Sequence, residues 1–165
     1  MEMDLGTAIV GLILIFICVI PFVIMYNNRV KKENKILQLL HEFAQQHNCK
    51  ISQHEFCGDF VLGIDNSSNF VFFCKQKKEE VIFQFVPLSE VHICQVVKKT
   101  RNIKSDMETP SIIDKVELSF IPINKSKEKS RFELYDEETN LQLSGELQFA
   151  DKWSKQINDC LKNKK

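Results

Sequence analysis

An uncharged apolar stretch near the N-terminus limits where the rest of this chain can fold. Leu5 to Tyr26 is a run of 22 residues without a charge, and fourteen of them are Leu, Ile, Val or Phe. A helix of this length reaches roughly 33 Å, enough to cross a hydrocarbon core of about 30 Å. A cleaved signal peptide would need cations before the run, but Glu2 and Asp4 stand there. The sequence therefore predicts a retained transmembrane anchor at residues 1–28.

Basic residues follow this stretch and predict its orientation. The first 28 residues contain no Lys or Arg. Four cations come next, at Arg29, Lys31, Lys32 and Lys35. Because such cations stay on the cytoplasmic side of a membrane, we expect the N-terminus outside and the remainder of the chain in the cytosol. The six cysteines are then expected to be reduced thiols, and the glycosylation sequons at Asn66 and Asn124 are interpreted as fortuitous.

Residues 29–48 are predicted to form a juxtamembrane amphipathic helix. Their apolar positions recur at steps of three and four, at Ile36, Leu37, Leu40, Phe43, Ala44 and His47. This seam covers fewer than two heptads, which is short of the three or four that are typical of a coiled coil. We therefore favour packing of this helix against its own domain, with dimerisation as the alternative.

Alternating apolar residues then predict a mainly-β domain over residues 49–165. The runs with a period of two are FVLGID, NFVFFC, VIFQFV, EVHICQVV, IIDKVELSFIPI and RFELYD, with LQLS as a short seventh strand. Polar segments separate them, including the stretch from Lys98 to Pro110. No helical pattern intervenes, so we expect antiparallel pairing, because parallel pairs need long crossover connections.

A C-terminal amphipathic helix closes the predicted domain. Its apolar face contains Ala150, Trp153, Ile157, Cys160 and Leu161, and Trp153 is the predicted structural anchor in the core. About seven antiparallel strands followed by one such helix resemble the pleckstrin-homology-like superfold, a partly open barrel closed by its helix. The motifs GID at 63–65, LYDEETN at 134–140 and ADKWSKQIN at 150–158 are also similar to those of a family of uncharacterised bacterial proteins with one N-terminal anchor. From the pattern alone, a lipocalin-like closed barrel or another small sandwich stays open.

Charge and motif content narrow the classes of function. The chain has 22 cations and 22 anions, a balance that argues against a nucleic-acid binder. It has five Gly and neither a Gly-x-Ser-x-Gly nor a Walker pattern, so we predict no catalytic residues, with an unrecognised enzyme as the third hypothesis. His47, Cys49, His54 and Cys57 are zinc-ligand types, but their spacing is not that of a finger or ribbon. No metal or other cofactor is predicted.

Basic residues in the C-terminal half of the chain form the candidate binding site. Phosphoinositide-binding members of the resembled superfold need a basic cluster across the first two strands, but the corresponding turn, Asp65 to Asn69, has no cation. A separate candidate basic patch consists of Lys125, Lys127, Lys129 and Arg131. We predict a non-catalytic binding module that presents its domain to an unknown protein partner at the inner face of the bacterial cytoplasmic membrane. A peripheral sensor of anionic lipid is the alternative, and the oligomeric state stays open.

Overall fold

The computed structural model describes residues 5–77, 80–102, 111–140 and 142–163. Within these ranges the chain forms one long N-terminal helix, seven strands and one C-terminal helix. They are α1 (Leu5–Gln46), β1 (Gln53–Cys57), β2 (Phe60–Asp65), β3 (Phe70–Lys77), β4 (Glu80–Pro87), β5 (Val91–Asn102), β6 (Ser111–Pro122), β7 (Ser130–Asp136) and α2 (Glu146–Lys162). The chain divides into two compact units between Gln38 and Leu39.

α1 is a single helix over both the predicted anchor and the predicted juxtamembrane segment. It contains an 18-residue stretch with a mean hydropathy of 1.9, which is long and apolar enough to cross a membrane. Its apolar side chains are exposed from Leu12 to Tyr26, where Phe22 reaches 72%. A helix of this kind near the N-terminus fits a membrane anchor or a signal sequence.

The end of α1 is fixed by a reversal of the backbone. Asn48 has a φ of 55°, a left-handed conformation that Asn tolerates and that commonly terminates helices. The amide of Asn48 donates to the carbonyl of Gln45 at 2.9 Å, and the amide of Cys49 donates to the carbonyl of Ala44 at 3.0 Å. These bonds satisfy carbonyl groups of the last helical turn, so the chain leaves the helix and turns towards β1.

The strands form two separate antiparallel sheets, and neither closes into a barrel. Sheet A has the order β1-β2-β3-β4, and sheet B has the order β5-β6-β7. The predicted antiparallel pairing is confirmed. β1 was not predicted as a strand, whereas the predicted strand LQLS is wrong for Gln142 to Ser144; Leu141 lies outside the described residues. Isolated alternation over four residues does not make a strand without a neighbour to pair with.

Several basic residues that the sequence places in the polar segments between predicted strands belong to strands of the structure. Lys75 and Lys77 lie in β3, and Lys98, Lys99 and Arg101 lie in β5. The neighbouring Lys78 and Lys104 lie outside the described residues.

The main core lies between the inner faces of the two sheets and α2. The rings of Phe73 and Phe132, one from each sheet, stack with centroids 5.0 Å apart. Phe149 of α2 contacts Phe60 at a centroid distance of 5.1 Å, and Trp153 is only 2% exposed. The predicted apolar face of α2 is confirmed: Ala150, Trp153 and Ile157 are buried, and Cys160 and Leu161 pack against the core.

Sheet A has a second buried face, covered by the end of α1. Since side chains alternate along a strand, Gly63 and Phe72 point away from the main core, yet both are buried. The ring of Phe43 lies 5.0 Å from that of Phe83 and 6.0 Å from that of Phe72. Residues 39–46 thus pack against sheet A, whereas dimerisation of the predicted 29–48 segment stays open.

Candidate functional site

The four residues of the candidate basic patch are exposed but do not form one cluster. The turn between β6 and β7 carries Lys125, Lys127 and Lys129, and Arg131 is the second residue of β7. Lys127 Nζ lies 2.8 Å from Glu90 Oε2, whereas Arg131 Nη1 lies 3.6 Å from Glu117 Oε2. Lys127 and Arg131 also line different cavities. The sequence alone did not indicate this separation, because both acidic partners are distant along the chain.

The turn that carries the patch is locally ordered. The side-chain oxygen Oδ1 of Asn124 accepts a hydrogen bond from the amide of Ser126 at 3.0 Å, and the Asn124 carbonyl accepts one from the amide of Lys127 at 3.1 Å. Ile123 is 62% exposed next to it. A cavity of about 280 Å³ lies beside this turn. Its lining residues are Val86, Pro87, Glu90, Val91, Phe120, Pro122, Lys127, Glu128 and Ser130.

A second cluster of charges lies where β7 approaches the inner face of β3. We name it the charged corner, and it consists of Lys75, Lys115, Glu117, Arg131, Glu133 and Asp136. Lys75 follows Val71 and Phe73 on the inner face of β3 and is only 2% exposed. A buried ammonium group is costly unless it is paired. Lys75 Nζ donates to the carbonyl of Glu133 at 3.3 Å and lies 3.5 Å from Glu133 Oε1.

Lys115 completes this network from the neighbouring strand. Its Nζ lies 2.6 Å from Glu133 Oε2 and 3.2 Å from Asp136 Oδ2. The hydrogen bond to Glu133 raises the pKa of Lys115. Burial alone would raise the pKa of Glu133, but Lys115 and Lys75 outweigh it and lower that pKa. Both shifts favour the charged forms, so Lys115 and Glu133 carry opposite charges at neutral pH.

The charged corner borders a cavity of about 260 Å³. The cavity is lined by Phe73, Lys75, Lys77, Ile82, Gln84, Glu117, Arg131 and Glu133. Glu117 is 6% exposed, and its Oε2 accepts no hydrogen bond from the described residues. A buried carboxylate oxygen without a hydrogen-bond donor is unusual in a folded protein. The cavity therefore combines cations, carboxylates and two apolar side chains.

Trp153 is held by polar contacts as well as by burial. Its indole Nε1 donates to Glu55 Oε2 at 2.8 Å, and Lys152 Nζ lies 2.8 Å from Glu55 Oε1. These bonds tie α2 to β1, the strand that the sequence did not predict. The amide and carbonyl of Cys94 in β5 bond to the side chain of Asn158 at 2.9 and 2.8 Å, so α2 also contacts the first strand of sheet B.

The cysteines of the domain are buried or half-buried thiols. All six cysteines of the chain are free. Burial raises the pKa of Cys94 to about 12 and that of Cys74 to about 11. Burial, followed by the charge of Glu146, raises the pKa of Cys57 to about 11. Thiols held in the protonated form are poor nucleophiles and poor metal ligands, so these side chains act as small apolar groups.

The turn between β2 and β3 is organised by Asp65. Its Oδ1 accepts hydrogen bonds from the hydroxyl and the amide of Ser67 at 2.7 and 2.8 Å, and its Oδ2 accepts one from the amide of Lys50 at 2.8 Å. Burial alone would raise the pKa of Asp65, but these bonds and those from Ser68 hold it well below its usual range. Every oxygen of this carboxylate is used within the fold, which gives the turn a structural role.

Of the charged corner, sequence reasoning identified only Arg131 as a candidate, and Lys75 and Glu117, which line the cavity, are among the residues it missed. The alternation Val71, Phe73, Lys75 places the lysine at an inward position of β3, and this signal was present in the sequence. Glu117 gives no such signal, because its alternation with the core residues Val116 and Leu118 places it on the other face of β6. Comparison of the chain with family models, with curated proteins and with solved structures finds no match.

Proposed function

We propose that this protein is a non-catalytic binding module, anchored by α1 in the bacterial cytoplasmic membrane and presenting a pleckstrin-homology-like domain to a protein partner in the cytosol. The observation that carries the proposal is the row of exposed apolar side chains from Leu12 to Tyr26. In water such a surface would be strongly unfavourable, whereas a bilayer accommodates it. The cations that follow, beginning at Arg29, favour the cytosolic side for the domain.

The order of elements supports the fold proposed for the domain. A four-stranded and a three-stranded antiparallel sheet are followed by one helix, and the Trp153 side chain of that helix enters the core between them. This is the arrangement expected of a pleckstrin-homology-like domain. Such domains serve many unrelated purposes, so the choice of partner rests on surface chemistry rather than on the fold.

The charges around the candidate basic patch favour a protein partner over lipid. Its four cations have three carboxylates near them: Glu128 in the same turn, Glu90 beside Lys127, and Glu117 beside Arg131. Anionic lipid attracts a basic segment by about 1 kcal/mol for each cation near the surface. With nearly all of that charge balanced, we expect weak lipid attraction.

Anionic-lipid sensing is the second candidate, and Ile123 favours it. This side chain is 62% exposed and is followed closely by Lys125, Lys127 and Lys129. An apolar group next to cations is the composition that binds the interface of an anionic bilayer. Lipid contact would place Ile123 in the interface and leave Lys125 and Lys129 near the phosphates.

Membrane topology can be tested with an exposed reporter thiol. We expect Ser126→Cys in the full-length chain to react with a membrane-impermeant maleimide in opened cells but not in intact cells. Glu2→Cys is the matched control and should react in intact cells. The unsubstituted chain sets the background, because it carries six cysteines of its own. Strong labelling of Ser126→Cys in intact cells would contradict the cytosolic assignment.

The two candidate functions predict opposite responses to lipid. The full-length chain carrying an environment-sensitive dye at Ser126→Cys is reconstituted into neutral or anionic vesicles. A partner-binding module gives the same emission in both. A blue shift that appears only with anionic lipid, and is lost with Lys125→Gln and Lys129→Gln or in high salt, would establish the lipid sensor instead. The partner is sought by cross-linking in cells. Candidate partners are proteins that cross-link to the full-length chain but not to a control chain in which α1 is fused to an unrelated domain.

A further inference from the structure

β4 is an edge strand of sheet A, and its outer edge pairs with no other strand of the described chain. The amide of Leu88 donates to the carbonyl of Asn69 at 2.8 Å, so these two residues form a bonded pair one step beyond the pairing of β3 with β4. Bonded and non-bonded pairs alternate along an antiparallel ladder. Counting back from Leu88, every second residue of β4 therefore directs its backbone N–H and C=O away from β3. These residues are Val81, Phe83 and Phe85.

The edge strands of the two sheets differ in their protection against pairing with another chain. Charged side chains, bulges and a covering helix are the usual protection. β1, β5 and β7 each carry charged residues, and the side chain of Asn158 in α2 bonds to the backbone of Cys94 in β5. By contrast, β4 is uncharged from Val81 to Pro87, and its pairing with β3 is continuous. β4 is thus the edge strand best suited to accept a further strand.

Two apolar side chains of β4 are exposed at this edge, one on each face of sheet A. Ile82 lies opposite the inward residue Lys75 and is 38% exposed. Phe85 lies on the other face, beside Phe43 of α1, and is 39% exposed. Apolar side chains on an unpaired, regular edge strand mark a site for pairing. A strand added to β4 would cover both of them.

We propose that β4 pairs antiparallel with β4 of a second copy of this chain, so that the two sheets A join into one. The outward residues are symmetric about Phe83, which lies opposite the Phe83 of the second copy. Val81 of each copy then lies opposite Phe85 of the other. In this register every outward residue donates one hydrogen bond through its N–H and accepts one at its C=O. Pro87, which has no N–H, ends the ladder.

The side chains that this register brings together are compatible with self-pairing. Side chains directly opposite each other interact, and like charges in such positions are destabilising. Val81 to Pro87 contains no charge, so self-pairing opposes no like charges. On the inner face Ile82 of each copy lies opposite Gln84 of the other, and the two Glu80 carboxylates lie at opposite ends of the ladder.

The symmetry of this pair also suits two chains anchored in one membrane. Its two-fold axis is perpendicular to the joined sheet, so the same face of sheet A points the same way in both copies. Residues 39–46, which lie against that face, are then on one side of the joined sheet. This step rests on the anchor of the proposed function, which would also raise the effective concentration of a second copy. An unanchored peptide gains nothing from that confinement.

Register-specific disulfides test the pairing in the full-length chain. Ile82 and Gln84 of the two copies are opposed in a non-bonded pair, with Cα atoms about 4.5 Å apart, which a disulfide can bridge. We expect Ile82→Cys chains to form a mixed disulfide with differently tagged Gln84→Cys chains under mild oxidation. Either variant alone should link much less, because identical residues are then diagonal neighbours about 7–8 Å apart.

The control for the disulfides lies on the other edge of sheet A. His54 is exposed in β1, and His54→Cys mixed with Gln84→Cys should give only the background set by the native cysteines. Mixed linking of Ile82→Cys with Gln84→Cys at this background level would overturn the proposal. Linking of Ile82→Cys in cells to another protein instead of a second copy would show that β4 pairs with a foreign strand, and the proposed occupant would be wrong.

Sedimentation equilibrium in detergent measures the association without a membrane, so its result is independent of the proposed anchor. We expect a reversible equilibrium between monomer and dimer. Val81→Lys places a cation opposite Phe85 of the other copy and enters the dimer twice, so it should raise the dissociation constant at least about tenfold. His54→Lys makes the same kind of change on the opposite edge and should leave the constant unchanged.

Two outcomes of the sedimentation experiment would contradict the pairing. One is a chain that stays monomeric at about 100 μM, and the other is a dimer that Val81→Lys and His54→Lys weaken equally. The fluorescence of Trp153 shows whether each variant is folded. If Val81→Lys unfolds, the mixed disulfide decides, since a dimer without it would show that the copies meet at another surface.

Discussion

Sheets A and B differ in how many of their faces are buried. All six residues of β2 in sheet A are buried, because the main core covers one face and residues 39–46 of α1 lie against the other. In β7 of sheet B, Phe132 and Leu134 are buried, whereas Arg131 is exposed and Glu133 is half-buried. The sequence carries the same difference, since strands covered on both faces contain unbroken apolar runs and strands with one solvated face alternate. The domain therefore contains two apolar layers, and the second depends on a helix that begins in the proposed membrane anchor.

The largest effect is expected from the layer that both sheets share. Trp153→Ala should lower the free energy of unfolding of the domain by about 3–5 kcal/mol, the usual loss for a buried aromatic residue. The substitution also leaves Glu55 without its indole donor. Hydrogen exchange of β2 and β6 amides in the full-length chain measures the change, and Lys155→Ala on the exposed side of α2 is the control. Unchanged protection would mean that α2 does not hold the two sheets together.

The layer specific to sheet A is tested by Leu40→Ala. Leu40 is fully buried, and we expect a loss of about 2–5 kcal/mol, as for other large-to-small changes in a core. The fluorescence of Trp153, the only tryptophan of the chain, follows unfolding in denaturant. Gln45→Ala, on the exposed side of the same helix end, should have little effect. If both variants unfold at the same denaturant concentration as the original chain, residues 39–46 merely lie on the sheet without stabilising it.

A smaller effect, confined to one end of sheet A, is expected from Asp65. We expect Asp65→Asn to cost about 1.5–3 kcal/mol at neutral pH, because hydrogen bonds to a charged acceptor are lost. Since the pKa of Asp65 is lower in the folded chain, its contribution is complete above the unfolded pKa of about 3.9 and is lost as the pH falls further. Denaturant titrations from pH 7 to 3 should therefore show a steeper loss for the original chain than for Asp65→Asn. Parallel curves would contradict the stabilising role of the charge.

The smallest effect tests how closely α1 approaches the sheet. A Cβ atom at Gly63 would lie 3.0 Å from Ile51 Cγ2 and 3.2 Å from Leu40 Cδ2. Gly63→Ala should therefore cost about 1–3 kcal/mol through overpacking. Combining it with Ile51→Val removes the Cδ1 methyl group, which would lie 3.3 Å from that Cβ atom, so the double variant should lose less than the sum of the two single variants. Strict additivity in the same denaturant titrations would show that these side chains do not share the space.

The sequence pattern predicted the helices and strands of this fold better than it predicted the contacts between them. The alternation of Val116, Leu118 and Phe120 identified β6, and steps of three and four identified the buried face of α2, because each signal lies within one element. Glu55 and Trp153 meet across 98 positions of the chain, and no local period encodes such a pair. β1 was missed because QHEFC is mostly polar in sequence. Its side chains are exposed or half-buried, and the segment is a strand because it pairs with β2.

The candidate site shows the same limit for charged residues. Sequence reasoning grouped Lys125, Lys127, Lys129 and Arg131 because they are neighbours in the chain. In the fold, Lys127 pairs with Glu90 and Arg131 lies beside Glu117. The acidic partner of each cation therefore depends on which segment of the chain packs next to it. The sequence thus showed the positions of the basic residues, whereas the packing of the sheets determines which carboxylates lie next to them.

The buried thiols make the domain tolerant of its chemical surroundings. With a pKa of about 11, a thiol such as that of Cys57 or Cys74 is ionised in only about one molecule in ten thousand at pH 7. Oxidation to sulfenic acid begins from the thiolate, so peroxide reacts slowly with these groups. The packing around Cys57 and Cys74 is therefore the same in a reducing and in a mildly oxidising compartment, so these two thiols place no limit on the side of a membrane on which the domain can fold.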